Sequence, residues 1–323
     1  MLSLEAWRPV ALSRMLRDKP LPVTVGARQL VLFRDGAGIG ALDDRCPHRG
    51  MRLSRGSVRD GRLTCPYHGW SYCAAGHALS PGSPGLKLTT GRLDTAERHG
   101  MVWVRAPGGT APPPDEDEAD MRFIHSIQRT IAAPVASVMD NFTEVEHTGI
   151  AHWQFGYDPA RLAEIDIDTR LEPDCVRVRT TGPQRPLWPS TRLGFGIRNG
   201  MDLICEWETR FAPARSTWRW HWRDPETGER RGRHFKAVAY FNPLPGSRTQ
   251  LLTFYFWSQA AIDRLGFAVV AKPLIRLATG YEVSLDAVLI EGLAEGGRGI
   301  PPTGASRFDK ALVEQRRRLD KGQ

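Results

Sequence analysis

The sequence predicts an α+β protein, with a small all-β domain followed by a larger domain whose helices gather on one side of an antiparallel sheet. Three observations point that way. Short strand-like runs separated by turn residues fill the first third of the chain. A proline run beside an acidic run comes next. Longer runs of alternating apolar and polar residues then lead into an apolar helical stretch.

The elements follow in order. Val23–Val25 reads as a strand, Gly26-Ala27 as a turn and Leu30–Phe33 as a second strand. Asp35-Gly36 is a hairpin signal before Ile39–Leu42. Further short segments surround Trp70–Tyr72 and Met101–Val104, and residues 1–106 are expected to form the first domain. Residues 107–120 hold Pro112-Pro113-Pro114 and Asp115-Glu116-Asp117-Glu118. Such a stretch cannot bury a core and reads as an exposed linker.

Residues 121–323 make the second domain. One helix is expected over 133–150, with Val135, Val138, Met139 and Phe142 on one side. Strand-like runs follow at Ile165–Asp168, Cys175–Arg179, Leu203–Glu208, Trp218–Trp222, Ala237–Phe241 and Leu251–Trp257. Residues 262–293 read as helical, with Pro273 expected to kink or break them.

Composition narrows the function classes. The chain has 323 residues, 41% hydrophobic and 25% charged, as in ordinary globular proteins with a core in each domain. The net charge is +8, but the arginines are scattered, with no basic stripe interleaved with stacking aromatics. Nucleic acid is not expected as a partner. A modestly basic surface suits an acidic electron carrier instead. Met1–Trp7 lacks the basic and apolar regions of a signal peptide, and Leu265–Ala278 is broken by Lys272, Pro273 and Arg276. No membrane anchor is expected. The five cysteines form no even-numbered disulfide framework, which fits a reducing cytoplasm. Cys73, Cys175 and Cys205 are expected as buried free thiols.

Two stretches carry chemistry. The first is Cys46-Pro47-His48, sixteen residues, then Cys65-Pro66-Tyr67-His68. Two thiolates and two imidazoles in that order suit a [2Fe–2S] centre, Cys46 and Cys65 on one iron, His48 and His68 on the other. Neutral imidazoles in place of thiolates remove negative charge and raise the reduction potential. A structural zinc built from the same four residues is the alternative, although C-x-H is cramped for finger spacing. The second stretch holds His147 and His152. Five residues apart on an ideal helix, they diverge by about 140°. They can share a metal only if the helix ends or bulges between them, and Gly149 would tolerate that. With one carboxylate they would complete the facial triad of an Fe(II) oxygenase.

Cys46-Pro47-His48-Arg49-Gly50 and Cys65-Pro66-Tyr67-His68-Gly69-Trp70 resemble the cluster loops of Rieske-type non-haem iron oxygenases. Respiratory Rieske proteins usually add a cysteine to each loop. Met51 and Trp70 stand in that neighbourhood here, which favours the oxygenase branch. The family's second motif is Asn-x2-Asp-x2-His-x4-His, and Asn141, His147 and His152 match it. The resemblance implies a third iron ligand at Asp286, with Glu291 five residues on, and Glu282 competes from one turn earlier. Glu144 stands where the family has aspartate. In relatives that carboxylate bridges a cluster histidine of one subunit to an iron histidine of its neighbour.

The resemblance further implies a helix-grip-like catalytic domain and the terminal oxygenase component of a homotrimeric monooxygenase. Such a component takes electrons from NAD(P)H through a ferredoxin or flavin reductase. With a [2Fe–2S] cluster, a mononuclear Fe(II) and O2, it would hydroxylate or demethylate a small organic substrate. Ring cis-dihydroxylation, desaturation or oxidative cyclisation, and electron transfer alone are the alternatives. His77, His99, His125, His221 and His234 read as surface or structural residues. Trp207, Trp218, Trp220, Trp222 and Trp257 read mainly as core, with some lining the pocket.

Overall fold

The computed structural model describes residues 4–36, 38–152, 156–258, 267–293 and 306–321, without the side chains of 267–271. The chain divides into two compact units, Met1–Asp115 with Asn242–Gly246, and Glu116–Phe241 with Ser247–Gln323.

The first unit is all β. Its strands are β1 (Arg8–Leu12), β2 (Leu21–Val25), β3 (Arg28–Arg34), β4 (Ile39–Asp43), β5 (Ser57–Arg59), β6 (Arg62–Thr64), β7 (Ser71–Tyr72), β8 (Ala78–Leu79), β9 (Arg92–Arg98) and β10 (Met101–Arg105). They form a six-stranded sheet in the order β1-β10-β9-β4-β3-β2 and a four-stranded sheet β5-β6-β7-β8. The unbroken run Leu30-Val31-Leu32-Phe33 explains how the two meet. Successive strand residues face opposite sides, so Leu30 and Leu32 join one core while Val31 and Phe33 join another that holds Cys46, Cys65 and Tyr72. Gly40, opposite Phe33 in the register, must be glycine: a Cβ there would lie 2.4 Å from the Phe33 ring.

The second unit contains β11 (Met121–Ile131), α1 (Val135–Phe142), α2 (Glu146–Ala151), β12 (Asp166–Leu171), β13 (Cys175–Pro183), α3 (Pro189–Phe195), β14 (Asp202–Phe211), β15 (Ala214–Arg223), β16 (Arg230–Leu244), β17 (Arg248–Ser258), α4 (Phe267–Glu291) and α5 (Lys310–Lys321). The strands form one seven-stranded antiparallel sheet, β11-β17-β16-β15-β14-β13-β12. Its core face packs Val178, Leu203, Trp207, Trp218, Ala239 and Phe241 against Val138 and Met139 of α1, Val283, Ala287 and Ile290 of α4, and Ala311 of α5. Each fully buried side chain of that size contributes about 1.5–3 kcal/mol.

Four local features differ from expectation. The helix over 133–150 is two helices, interrupted at Thr143–Val145. The Thr143 hydroxyl donates back to the Met139 carbonyl at 2.7 Å, and the Glu144 carboxylate then caps α2 by accepting from Glu146 N at 2.6 Å. Helix α4 runs through Pro273 as one element, while residues 262–266 lie outside the described residues. The acidic run is not all exposed: Glu116 is buried, 2.6 Å from Arg215 Nη1. A charge is tolerated there because it is paired. Cys73 is only half-buried, whereas Cys175 and Cys205 are buried, and all five thiols are free. Helices α3 and α5 are not among the expected elements: α3 has Pro189 in its first turn and ends on Gly196 at φ 69°, but its seven residues are too few to show an apolar period.

Candidate iron centres

The cluster loops are built alike. In the first, Cys46 N donates to Met51 O at 2.8 Å and Gly50 N to Cys46 O at 2.8 Å. In the second, Cys65 N donates to Trp70 O at 2.7 Å and Gly69 N to Cys65 O at 3.2 Å. Each loop closes over six residues with a glycine in the left-handed region, Gly50 at φ 74° and Gly69 at φ 70°. Both cysteines are buried, and both histidines are exposed with ring centroids 4.6 Å apart. The His48 ring stacks on Trp70 at 4.7 Å. Burial pushes the Cys65 thiol up, and the Tyr72 hydroxyl lies 3.1 Å from Cys46 Sγ. Buried thiols of this kind need a metal charge opposite them to ionise.

Among the described residues, two groups of three or more His, Cys, Asp or Glu bring their ligand atoms within 4.8 Å of one another, and this quartet is neither.

One of the tight groups is His147, His152 and Asp286. His147 Nε2 lies 3.3 Å and His152 Nε2 3.0 Å from Asp286 Oδ1, and the two nitrogens are 3.2 Å apart. Three ligands about 2.1 Å from one ion and at right angles would be about 3 Å apart, so this triangle has the size of one octahedral face. The local chain explains how residues five apart converge. Helix α2 ends at Ala151, and His152 leaves it with extended dihedrals, φ −97° and ψ 104°. Gly149 serves close packing instead of a bulge, because a Cβ there would lie 2.9 Å from Leu162 Cδ2.

The far nitrogens are held too. His147 Nδ1 pairs with Glu144 Oε1, and His152 Nδ1 with Glu282 Oε2. A carboxylate on Nδ1 keeps the proton there and turns the Nε2 lone pair toward the metal position. Glu282, one turn before Asp286 on α4, therefore stands behind His152, while Asp286 faces the two Nε2 atoms. Asn141 Nδ2 donates to Asp286 Oδ1 at 3.1 Å. Arg185 Nη1 donates to the His152 carbonyl, and Trp222 Nε1 fixes the neighbouring Gln184 at 3.0 Å. Neither Arg185 nor Tyr72 stands in a motif, so no sequence signal marked them.

Electrostatics match a cation site. Burial opposes charging of the imidazoles, yet hydrogen bonds to Asp286 with those to Glu144 or Glu282 raise both His147 and His152 to about 9. Burial likewise opposes ionisation of Asp286, but bonds from the two histidines lower it to about 2. The other tight group, Glu172, Asp174 and Cys175, already has cations against it, with Arg177 3.5 Å from Glu172 and Arg210 paired to Asp174.

The chain is similar to several known proteins. Residues 6–88 match the Rieske [2Fe-2S] domain family. The chain is 28% identical over 237 residues to the vanillate O-demethylase oxygenase subunit of a Pseudomonas species, covering 66% of this chain and 63% of that one. It is 33% identical over 169 residues to the methylxanthine N1-demethylase NdmA of Pseudomonas putida, covering 47% and 48%. The matches thus span less than two thirds of these curated relatives. The crystal structure of dicamba monooxygenase bound to 3,6-dichlorosalicylic acid shares the fold, with a TM-score of 0.79 and 20% identity over 98% of this chain and 96% of that one. Residues 6–88 thus belong to the Rieske [2Fe-2S] domain family, and further stretches of the chain are similar to the two demethylase components above.

Proposed function

We propose that this chain is the terminal component of a monooxygenase that hydroxylates or oxidatively demethylates a small organic substrate. The observation that carries the reading is the His147–His152–Asp286 triangle, with a carboxylate behind each histidine, in a chain that also has both cluster loops. Cys46, Cys65, His48 and His68 would hold the [2Fe–2S] cluster, and the triad a mononuclear Fe(II). When bound, these groups supply electrons and activate O2 at positions a facial triad leaves open. The residues of this chain do the rest. Glu144 and Glu282 keep the protons on Nδ1 of His147 and His152. Asn141 holds Asp286, and the apolar core around Trp207, Trp218 and Phe241 excludes water.

The finer parts of the reading are also ours. The electrons come from NAD(P)H through a separate ferredoxin or flavin reductase, and the basic surface suits an acidic carrier. The active assembly is a homotrimer, in which Glu144 joins His147 to a cluster histidine of the next subunit. What supports this role is that Glu144 pairs with His147 Nδ1 and its side chain is 20% exposed. The setting is cytoplasmic. Among the described residues no helix is long and apolar enough to cross a membrane.

Iron and acid-labile sulfide per chain test the two centres. Anaerobic wild-type protein should hold about three irons to two sulfides, and Asp286→Ala about two irons. Two irons in both would leave the electron-transfer alternative ahead. Glu144→Gln should keep both metals and slow single-turnover electron transfer. Unchanged kinetics would remove the bridge.

A further inference from the structure

Helix α5 meets the segment that carries the triad's supports through two polar residues, Gln315 and Arg316. Gln315 Nε2 donates to Asp140 Oδ1 at 3.2 Å. Arg316 Nε donates to Asp140 Oδ2 at 2.5 Å, and its Nη2 pairs with the same oxygen. Gln315 Oε1 lies 3.2 Å from the Thr143 hydroxyl. Asp140, Thr143 and Gln315 are all buried. Buried polar groups need such partners, so each fixes the place of the other.

Residues 140–143 are thus gripped at both ends, and the triad's supports lie between and just after the grips. Asn141 donates to Asp286 Oδ1 at 3.1 Å. Glu144 follows Thr143, caps α2 and pairs with His147 Nδ1. Peptide geometry is stiff, so a shift of Asp140 or Thr143 passes to these neighbours. The triangle has sides of 3.0, 3.2 and 3.3 Å, and a ligand set tolerates errors of only about 0.5 Å. Elsewhere α5 docks by apolar contact, through Phe308 and Ala311. Such contacts have no direction, whereas hydrogen bonds to a carboxylate do. A buried polar cluster adds little net stability over apolar packing; what this one adds is direction.

We propose that Gln315 and Arg316 are positioning residues for the mononuclear iron. They hold the turn between α1 and α2 where it must be for Asn141 to reach Asp286 and Glu144 to reach His147. The proposal rests on the oxygenase reading and adds α5 to the parts of the chain that shape the iron site.

Two measurements on the full, cluster-loaded chain under anaerobic conditions test this without turnover. One is chelator competition for the mononuclear Fe(II). The other is the electron paramagnetic resonance of nitric oxide added to that iron, which reports the symmetry of its ligands. Gln315→Met and Arg316→Met should each lower iron affinity about tenfold, the lower end of what losing a ligand's partner costs, and shift the signal. Arg316→Lys keeps a cation on Asp140 and should recover part of the affinity. Arg318→Met is the control, because Arg318 bonds to the Cys175 carbonyl at 3.0 Å and to Glu314 at 2.6 Å. It should lower the urea midpoint and leave affinity and signal as in wild type. Wild-type values in both Gln315→Met and Arg316→Met would overturn the proposal. So would an equal loss in Arg318→Met, which would make α5 a general brace. A wild type that holds no mononuclear iron would strike the oxygenase reading itself, and the proposal with it.

Discussion

Asn141 and Asp286 stand 145 positions apart, and their side chains meet, Asn141 Nδ2 donating to Asp286 Oδ1 at 3.1 Å. The bond ties the end of α1 to the last third of α4 at the oxygen nearest both histidines. Asn141→Ala should therefore free Asp286 to rotate away, lowering iron affinity about 10–100-fold, as the loss of a metal ligand's partner does. Chelator competition on the mononuclear iron reads this. An affinity equal to wild type would mean that packing alone holds Asp286.

Glu282 gives a second handle on the same ion. Its carboxylate holds His152 Nδ1, so Glu282→Leu should leave that nitrogen without an acceptor and weaken the iron without touching the cluster spectrum. Metal content after dialysis should fall for the mononuclear iron only. Loss of both centres together would point to misfolding instead.

Proton competition sets the pH dependence of iron uptake. His147 and His152 titrate at about 9 in the metal-free chain, above the usual 6.5, through their carboxylate bonds. Folded pKa values raised this way stabilise the metal-free fold fully below about 6.5, and that contribution is lost as pH rises through 9. Iron must displace the Nε2 protons, so its apparent affinity should climb with pH up to about 9 and level off above. A flat profile in chelator titrations would show that the rings are already neutral.

Tyr72 is placed to act on the other proposed centre. Its hydroxyl lies 3.1 Å from Cys46 Sγ, and a hydrogen bond to a cluster sulfur favours the reduced, more negative state. Tyr72→Phe should lower the cluster potential by about 60 mV, the one-electron equivalent of a charged hydrogen bond worth about 1.4 kcal/mol. Redox titration followed in the visible spectrum measures it. An unmoved potential would assign the hydroxyl a packing role.

Helix α5 is latched to the iron segment through Asp140. Burial first raises this carboxyl to about 6, while Arg316 and Gln315 pull against the rise. A folded pKa above the unfolded 3.8 means that the cost of ionising Asp140 grows as pH rises from about 4 to 6 and is constant above. Arg316→Ala should cost about 2 kcal/mol at pH 8, less than for a fully buried pair because Arg316 is partly exposed. The loss should shrink at pH 5, where Asp140 takes up a proton. Equal losses in urea at both pH values would exclude Asp140 as the cause.

Local spacing made the cluster ligands legible, because each loop spans six residues and its glycine, proline, cysteine and histidine all fall within it. The same holds for the middle strands of the seven-stranded sheet, where alternation marks one buried face. Spacing went further for His147 and His152, stating the condition under which they can meet, a helix that ends between them. Folding decided how that condition is satisfied. Thr143 and Glu144 interrupt the predicted helix and restart it so that α2 stops one residue before His152. No run of neighbours announces that Glu282 would sit behind His152, that Arg185 would hold its carbonyl or that α5 would close on Asp140. Those contacts join residues 33 to 176 positions apart. Chain-local propensity acts over a few residues, whereas such partners are chosen by which helix and strand faces the core forces together.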